Sequence, residues 1–276
     1  MRLGGPIFGA TDPDAWIAAL AGEGYRAAYW PLPPGAPDDE VARYVRAAER
    51  HDIVIAEVGA WSNPLSPDNA ERHAAIDKCC ASLAVADRVG ARCCVNITGS
   101  RGSKWDGPDA RDLTRDTFDL IVETVRGIID AVKPTRSYYA LETMQWMYPD
   151  SVAAYVHLIK AIDRPRLGVH LDPTNLVCSP QIYYRTGPLI RLAFRKLGPQ
   201  LRSCHAKDIA LGSGATVHLD EVRPGLGNLD YATYLCELAR CDPDLPLMLE
   251  HLPNEDEYRL AAAHIRGVAH AQGLTL

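Results

Sequence analysis

The stretch Leu167-Gly168-Val169-His170-Leu171-Asp172 decides how the chain reads: an apolar run short enough for a buried strand ends on ionisable groups. Three other runs end the same way, Tyr139-Ala140-Leu141-Glu142, Ser203-Cys204-His205-Ala206-Lys207 and Leu247-Met248-Leu249-Glu250. Working outward, strand candidates recur at residues 6–10, 26–32, 53–58, 93–98, 138–143, 167–172, 201–206 and 247–252. Segments of helical periodicity separate or follow them at 12–23, 38–51, 67–89, 114–132, 150–162, 188–197, 231–238 and 255–271. The helix at 67–89 carries its own start signal, with Ser66 or Asp68 as the cap and Asp68 and Glu71 beside the positive end of its dipole. Eight such alternations close into an α/β fold, the (β/α)8 barrel, and 276 residues suit one domain of that kind, typically about 250 residues. No Pro- or Gly-rich linker divides the series, so residues 1–276 read as one domain. An open doubly wound sheet is the competing architecture, but no strand is followed by Gly-x-Gly-x-x-Gly.

Composition narrows the partners. With 29 Lys+Arg against 35 Asp+Glu the net charge is −6, which gives no electrostatic reason to approach nucleic acid. No run of 18 apolar residues would span a membrane, and the first residues, MRLGGPIFGATDPD, lack a basic segment followed by an apolar one, so a cytoplasmic location is expected. Eight cysteines occur, two pairs of them vicinal (Cys79-Cys80, Cys93-Cys94), without any Cys-x-x-Cys. They read as small buried hydrophobes, and any metal here should be held by oxygen and imidazole.

In a barrel of this kind the chemistry sits at the C-terminal ends of the strands. Glu142, Asp172, His205 and Glu250 stand there, separated by 30, 33 and 45 residues, as successive βα units would space them. Three carboxylates and one imidazole suit a single divalent ion, Mn²⁺, Mg²⁺ or Co²⁺, with Zn²⁺ also accommodated. Taken singly, each would read as a surface charge or a satisfied core group; together on adjacent strands they read as one site. Side chains two apart on a strand share a face, so His170 should point inward with Asp172, and Lys207 with His205. His170 then either touches substrate or orients a metal ligand, and Lys207 either touches substrate or pairs with Glu57 or Asp208. Asn175 is a hydroxyl contact or simple turn chemistry. Gly99-Ser100-Arg101-Gly102 is a turn or an anion cradle, and His218 and Asp220 fall in a lid loop after the seventh strand.

These residues resemble the xylose-isomerase-like barrels, which include ketose 3-epimerases, inosose isomerases and dehydratases, and more distantly endonuclease IV. The resemblance runs over nearly the whole chain and rests on Glu57-Val-Gly-Ala-Trp61-Ser-Asn-Pro, Leu141-Glu142-Thr-Met, Val169-His170-Leu-Asp172-Pro-Thr-Asn175, Cys204-His205-Ala-Lys207-Asp208, the loop Arg223-Pro-Gly-Leu-Gly-Asn-Leu-Asp-Tyr231 and Met248-Leu-Glu250-His251. It implies that Glu142, Asp172, His205 and Glu250 bind one divalent metal, foremost Mn²⁺, and that Glu142 and Glu250 act as acid and base. It adds Glu57 and Trp61 to His170, Asn175 and Lys207 as candidate substrate contacts. A dimer or tetramer is common among such relatives.

The implied reaction is epimerisation or isomerisation of a small keto-sugar or its derivative through an enediolate held at the metal, one glutamate removing a proton and the other returning one to the opposite face. Free-ketohexose epimerases typically carry a second Glu six residues after the first metal Glu and a His three after the metal Asp. Tyr148 and Asn175 occupy those positions here. Trp61, Trp105, Trp146, Met144 and Met147 could wall a larger substrate such as a glycoside, or simply pack. The same metal and base would also serve a lyase, by dehydration or 3-keto-glycoside elimination. An endonuclease IV-like nuclease is a more distant alternative, opposed by the acidic charge and by Asn175. A metal-free binding barrel is opposed by retention of all four ligands.

Overall fold

The computed structural model describes all residues, Met1–Leu276. Its elements are β1 (Arg2–Gly5), α1 (Pro13–Glu23), β2 (Ala27–Tyr29), α2 (Asp38–Arg50), β3 (Val54–Gly59), α3 (Asn69–Val89), β4 (Cys93–Asn96), α4 (Arg115–Val132), β5 (Tyr139–Glu142), α5 (Val152–Ile162), β6 (Leu167–Leu171), α6 (Pro180–Tyr183), α7 (Thr186–Leu197), β7 (Leu201–Ala206), β8 (Asp208–Leu211), β9 (Leu219–Val222), α8 (Tyr231–Leu238), β10 (Pro246–Leu249) and α9 (Glu255–Ala271). β1 to β7 and then β10 pair in parallel and close on β1, giving the expected (β/α)8 barrel.

The helices start where capping chemistry places them. Asp12, Asp68, Thr114, Ser151 and Asn254 each accept a backbone N–H of the first turn that follows, and Gly24 and Gly90 end α1 and α3 in the left-handed conformation. The expected helix starts at 12 and 114 thus fall on the cap rather than on the first helical residue. Ser66 is not the cap of α3; its hydroxyl reaches Glu71. No helix is long and apolar enough to cross a membrane, and none of the eight cysteines is paired.

Two expectations fail. The first strand is Arg2–Gly5 and not residues 6–10. Gly4 and Gly5 have poor strand propensity, but a Cβ on Gly4 would lie 2.3 Å from the Ala27 carbonyl oxygen and 2.6 Å from Met248 Sδ, so only glycine fits between β2 and β10. The lid after β7 is an antiparallel hairpin, β8–β9, with Asp220 on its second strand and His218 at its tip bonded to Thr216, both away from the carboxylate cluster. Asp208 anchors the loop beyond it: its carboxylate accepts from the N–H groups of Ile209, Gly225, Gly227 and Leu229 at 2.8–3.1 Å.

Between barrel and helices lies one large apolar layer, with Leu20, Leu83, Ile128, Leu158, Leu197, Leu238 and Ile265 fully enclosed. Each contributes roughly 1.5–3 kcal/mol by leaving water. The barrel interior is narrow and stacked. At its floor the Arg202 guanidinium lies 3.8 Å over the Tyr138 ring, above it sit small side chains such as Ala27, Ala56, Cys93 and Ala140, and the polar layers follow towards the strand C-termini.

Candidate functional site

Strand ends bring Glu142, Asp172, His205 and Glu250 together at the barrel mouth, one ligand atom from each lying within 4.8 Å of the others. The alternation of β5, β6, β7 and β10 turns them inward, and each backbone is locked locally. Asp172 Oδ1 accepts from the N–H groups of Thr174 (2.8 Å) and Asn175 (3.3 Å), while Thr143 Oγ1 donates to the Asp172 carbonyl oxygen at 2.8 Å. His205 Nδ1 faces Glu250 Oε1 at 2.7 Å and Glu142 Oε1 at 3.2 Å. Asn175 Nδ2 donates to Glu142 Oε1 at 3.2 Å.

Lys207 sits over this group with Nζ 3.0 Å from Asp172 Oδ2, 3.6 Å from Glu142 Oε1 and in contact with Glu250 Oε1. Neither Glu57 nor Asp208 is its partner, contrary to expectation, because Glu57 lies one layer deeper and Asp208 is consumed by the loop amides. The deeper layer is a buried polar cluster. Glu57 Oε1 accepts from His170 Nε2 at 2.9 Å and from the Ser203 hydroxyl, and Glu57 Oε2 faces His205 Nε2 at 3.4 Å. The His170 ring packs edge-on against His205, centroids 4.1 Å apart. A register slip between Ala28 and Tyr29 on the neighbouring strand interrupts the two-residue alternation where Glu57 turns inward.

Glu57 and His170, 1% and 0% exposed, therefore lie beneath the ligand ring and not in the open cavity. With an ionised Glu57 beside it, His205 keeps a proton on Nε2 and would give up the one on Nδ1 to ligate an ion on the carboxylate side, the arrangement a metal ligand requires. Ser203, two residues before His205 and so on the same face, escapes the sequence reading although that spacing marks it. Glu221 and His251, 3.2 Å apart at the cavity rim, depend on the β8–β9 hairpin, which the sequence does not suggest.

The electrostatics are those of an excess anion held in place. Burial pushes Glu142 and Glu250 up, but His205 and Lys207 outweigh it and hold both below the usual carboxylate range. For Asp172 burial prevails over Lys207 and the carboxyl is raised. Burial opposes charging of His205, yet Glu250, Glu142 and Glu57 raise it well above its ordinary value; Lys207 is raised in the same way by Asp172, Glu142 and Glu250. Three carboxylates against the Lys207 ammonium and the His205 imidazole leave the ring acidic. Two of the oxygens, Asp172 Oδ2 and Glu250 Oε1, are buried without a well-directed hydrogen-bond donor. Lys207 Nζ, 3.0 Å from Asp172 Oδ2, and His205 Nδ1, 2.7 Å from Glu250 Oε1, neutralise part of this charge, and a divalent cation would satisfy the remainder. The donor set fits such an ion.

Above the cluster opens a cavity of about 620 Å³. Glu142, Glu250, Asn175 and Lys207 line one part of it, and Trp61, Ile97, Trp105, Met144 and Trp146 line another. Met147, which could have joined that wall or simply packed, is buried and does not line the cavity. Gly99–Gly102 is a turn without a free cradle, since the Asp112 carboxylate already takes the Ser100 hydroxyl (2.8 Å) and the Arg101 N–H (2.6 Å).

No curated protein sequence matches the chain. Among solved structures it is similar to D-psicose 3-epimerase from Clostridium cellulolyticum (TM-score 0.72, 16% identity, 100% of both chains covered). It is also similar to 3-keto-D-glucoside 4-epimerase from E. coli (TM-score 0.70, 12% identity, 97% of this chain and 99% of that one). Endonuclease IV from Thermus thermophilus superposes as well (TM-score 0.73, 14% identity, 98% of this chain and 100% of that one). Identities this low speak for the fold alone. The model of the xylose isomerase-like TIM barrels matches residues 16–268, and the chain belongs to that family.

Proposed function

We propose that the protein is a divalent-metal-dependent epimerase or isomerase of a keto-sugar or keto-sugar derivative. The observation that carries this is a pair of glutamates, Glu142 and Glu250, both facing His205 Nδ1, at 3.2 and 2.7 Å, and opening together onto the cavity. Glu142, Asp172, His205 and Glu250 would hold the ion, with Mn²⁺ the first candidate. Once bound, it supplies a Lewis acid for a carbonyl and its neighbouring hydroxyl.

The chain's own groups then do the proton work. Glu142 Oε2, the oxygen not engaged by Asn175, takes the proton from the carbon beside the carbonyl, and Glu250 returns one to the opposite face; either order is allowed. Both stay ionised because Lys207 and His205 hold them low. Lys207 and Asn175 donate to substrate oxygens, and Trp61 closes the far wall.

Phosphodiester chemistry is poorly served. The cavity's cations each face a carboxylate, Lys104 with Asp106 at 3.2 Å, Lys207 with Asp172 and His251 with Glu221, so the lining carries no cluster of cations suited to a phosphate. The test is metal analysis followed by incubation of Mn²⁺-loaded protein in D₂O with ketoses, keto-inositols and 3-keto-glycosides. Deuterium next to the carbonyl is expected, and Glu142→Gln and Glu250→Gln should each lower turnover by about 10²–10⁴-fold. Loss of water or aglycone would assign a lyase, and normal turnover in either variant would remove the two-base mechanism.

A further inference from the structure

The two parts of the cavity differ in chemistry. Polar groups descend from the ends of β5, β6, β7 and β10; the indoles and Met144 rise from beyond β3, β4 and β5. Trp16 and Trp30 belong to the apolar core, whereas Trp105 and Trp146 lie outside it and face the cavity. None of Trp61, Trp105 and Trp146 stacks on another aromatic ring, and Trp61 packs in part on Cys93, Val95 and Ala140, so Trp105 and Trp146 are the indoles that the ligand would meet.

The wall is also built in advance of any ligand. Trp146 Nε1 donates to the Asp106 carbonyl oxygen at 3.0 Å, joining the two loops that carry Trp105 and Trp146. Fully buried Asp112 pins the first loop through the Ser100 hydroxyl and the N–H groups of Arg101 and Asp109, and Thr98 Oγ1 donates to the Tyr148 carbonyl oxygen at 2.7 Å to fix the second. At about 620 Å³ the space falls in the range, about 300–1,000 Å³, that encloses a drug-sized ligand.

We propose that this apolar half is an aglycone subsite, and that the substrate is an uncharged keto-glycoside bearing a flat aromatic aglycone. The ring lies against Trp105 and Trp146 while the sugar faces Glu142 and Glu250; this assignment rests on the metal-and-glutamate reading of the sugar end. Pre-fixed indoles bind a planar group at little ordering cost, and paired rim charges bind it without needing an anion.

The test separates the two halves. Titration of the metal-loaded protein, followed by intrinsic tryptophan fluorescence and calorimetry, compares phenyl with methyl β-D-glucopyranoside, neither of which carries a ketone. Phenyl should bind about tenfold tighter. Trp105→Ala should erase that preference and leave methyl glucoside binding unchanged, and Trp105→Tyr should keep most of it, with circular dichroism verifying the fold of both. Equal binding of the two ligands, or a preference that survives in folded Trp105→Ala, overturns the subsite. Deuterium exchange on methyl 3-keto-β-D-glucoside reports the sugar end independently: a phenyl preference without exchange leaves the subsite standing and removes the proposed reaction, while exchange without a phenyl preference does the reverse.

Discussion

Replacing Glu57 by Gln should weaken metal binding although Glu57 stands outside the proposed set of four ligands. Its carboxylate accepts from three groups, His170 Nε2 at 2.9 Å, the Ser203 hydroxyl and His205 Nε2 at 3.4 Å. An amide offers one acceptor oxygen and one NH₂. If the oxygen stays with His170 and Ser203, the NH₂ faces the His205 Nε2–H, two donors meet, and His205 is driven to the tautomer protonated at Nδ1. That proton then occupies the lone pair aimed at Glu142 and Glu250. If the amide turns over, His170 must carry its proton on Nδ1, an atom buried with no partner, at a cost of about 1–3 kcal/mol. The first outcome is the cheaper relaxation. Groups that orient a metal-bound imidazole are typically worth 10–100-fold in affinity, so Mn²⁺ should bind Glu57→Gln about 10–100-fold more weakly, equivalent to about 1.4–2.7 kcal/mol. Calorimetric or EPR titration of the stripped protein gives the constant, and long-range ¹H–¹⁵N spectra give the His205 tautomer. Unchanged Mn²⁺ affinity with His205 still protonated on Nε2 would refute the reasoning.

Stripping the ion with EDTA should lower the melting temperature by about 5–10 °C relative to protein held at 100 times the Mn²⁺ dissociation constant, from about 2.7 kcal/mol of linkage and about 2–4 °C per kcal/mol; identical scans with and without EDTA would argue against the site. Asp208→Ala orphans four loop amides and should cost at least about 3 kcal/mol in urea unfolding, with faster hydrogen exchange at Gly225 and Gly227; native protection there would contradict the anchoring role. Asp87 is pushed up by burial but pulled below its ordinary 3.8 by the N–H groups of Ser137, Arg136 and Thr135. A folded value below the unfolded one means its stabilisation is present above about pH 4 and is lost as pH falls through the lowered value, so Asp87→Asn should flatten the acid limb of stability against pH, and an unaltered limb would show that Asp87 does not set it.

Much of the fold was legible because the chain repeats one unit. The strand at residues 201–206 and the helices at 231–238 and 255–271 coincide with β7, α8 and α9, and the expected helix starts at 12 and 114 fall on the capping residues Asp12 and Thr114, which share the helix's sequence signal without its conformation. The first strand was not legible. Its central glycines answer to a tertiary constraint, the carbonyl of Ala27 and the sulfur of Met248 pressing from either side, and local propensity carries no trace of neighbours 23 and 244 residues away. The β8–β9 hairpin was hidden for a related reason: Gly212, Ser213 and Gly214 read as loop, and nothing in them says that the flanking segments pair.

The site divides along the same line. Glu142, Asp172, His205 and Glu250 were readable because each ends an apolar run and alternation fixes its face. What alternation leaves open is depth. His170 precedes Asp172 by two residues and shares its face, yet it lies a layer lower, where a group meets Glu57 and not a ligand in the cavity. Glu57 reaches that layer where the register slips, so counting along the strand does not establish its face. The consequence is chemical: in the proposed metal site the lower layer would hold the proton on one nitrogen of His205 and leave the other to the ion. A sequence reading that finds the upper ring alone finds the candidate ligands but not the Glu57 carboxylate beneath them, which faces His205 Nε2 at 3.4 Å and would leave Nδ1 to an ion on the side of Glu142 and Glu250.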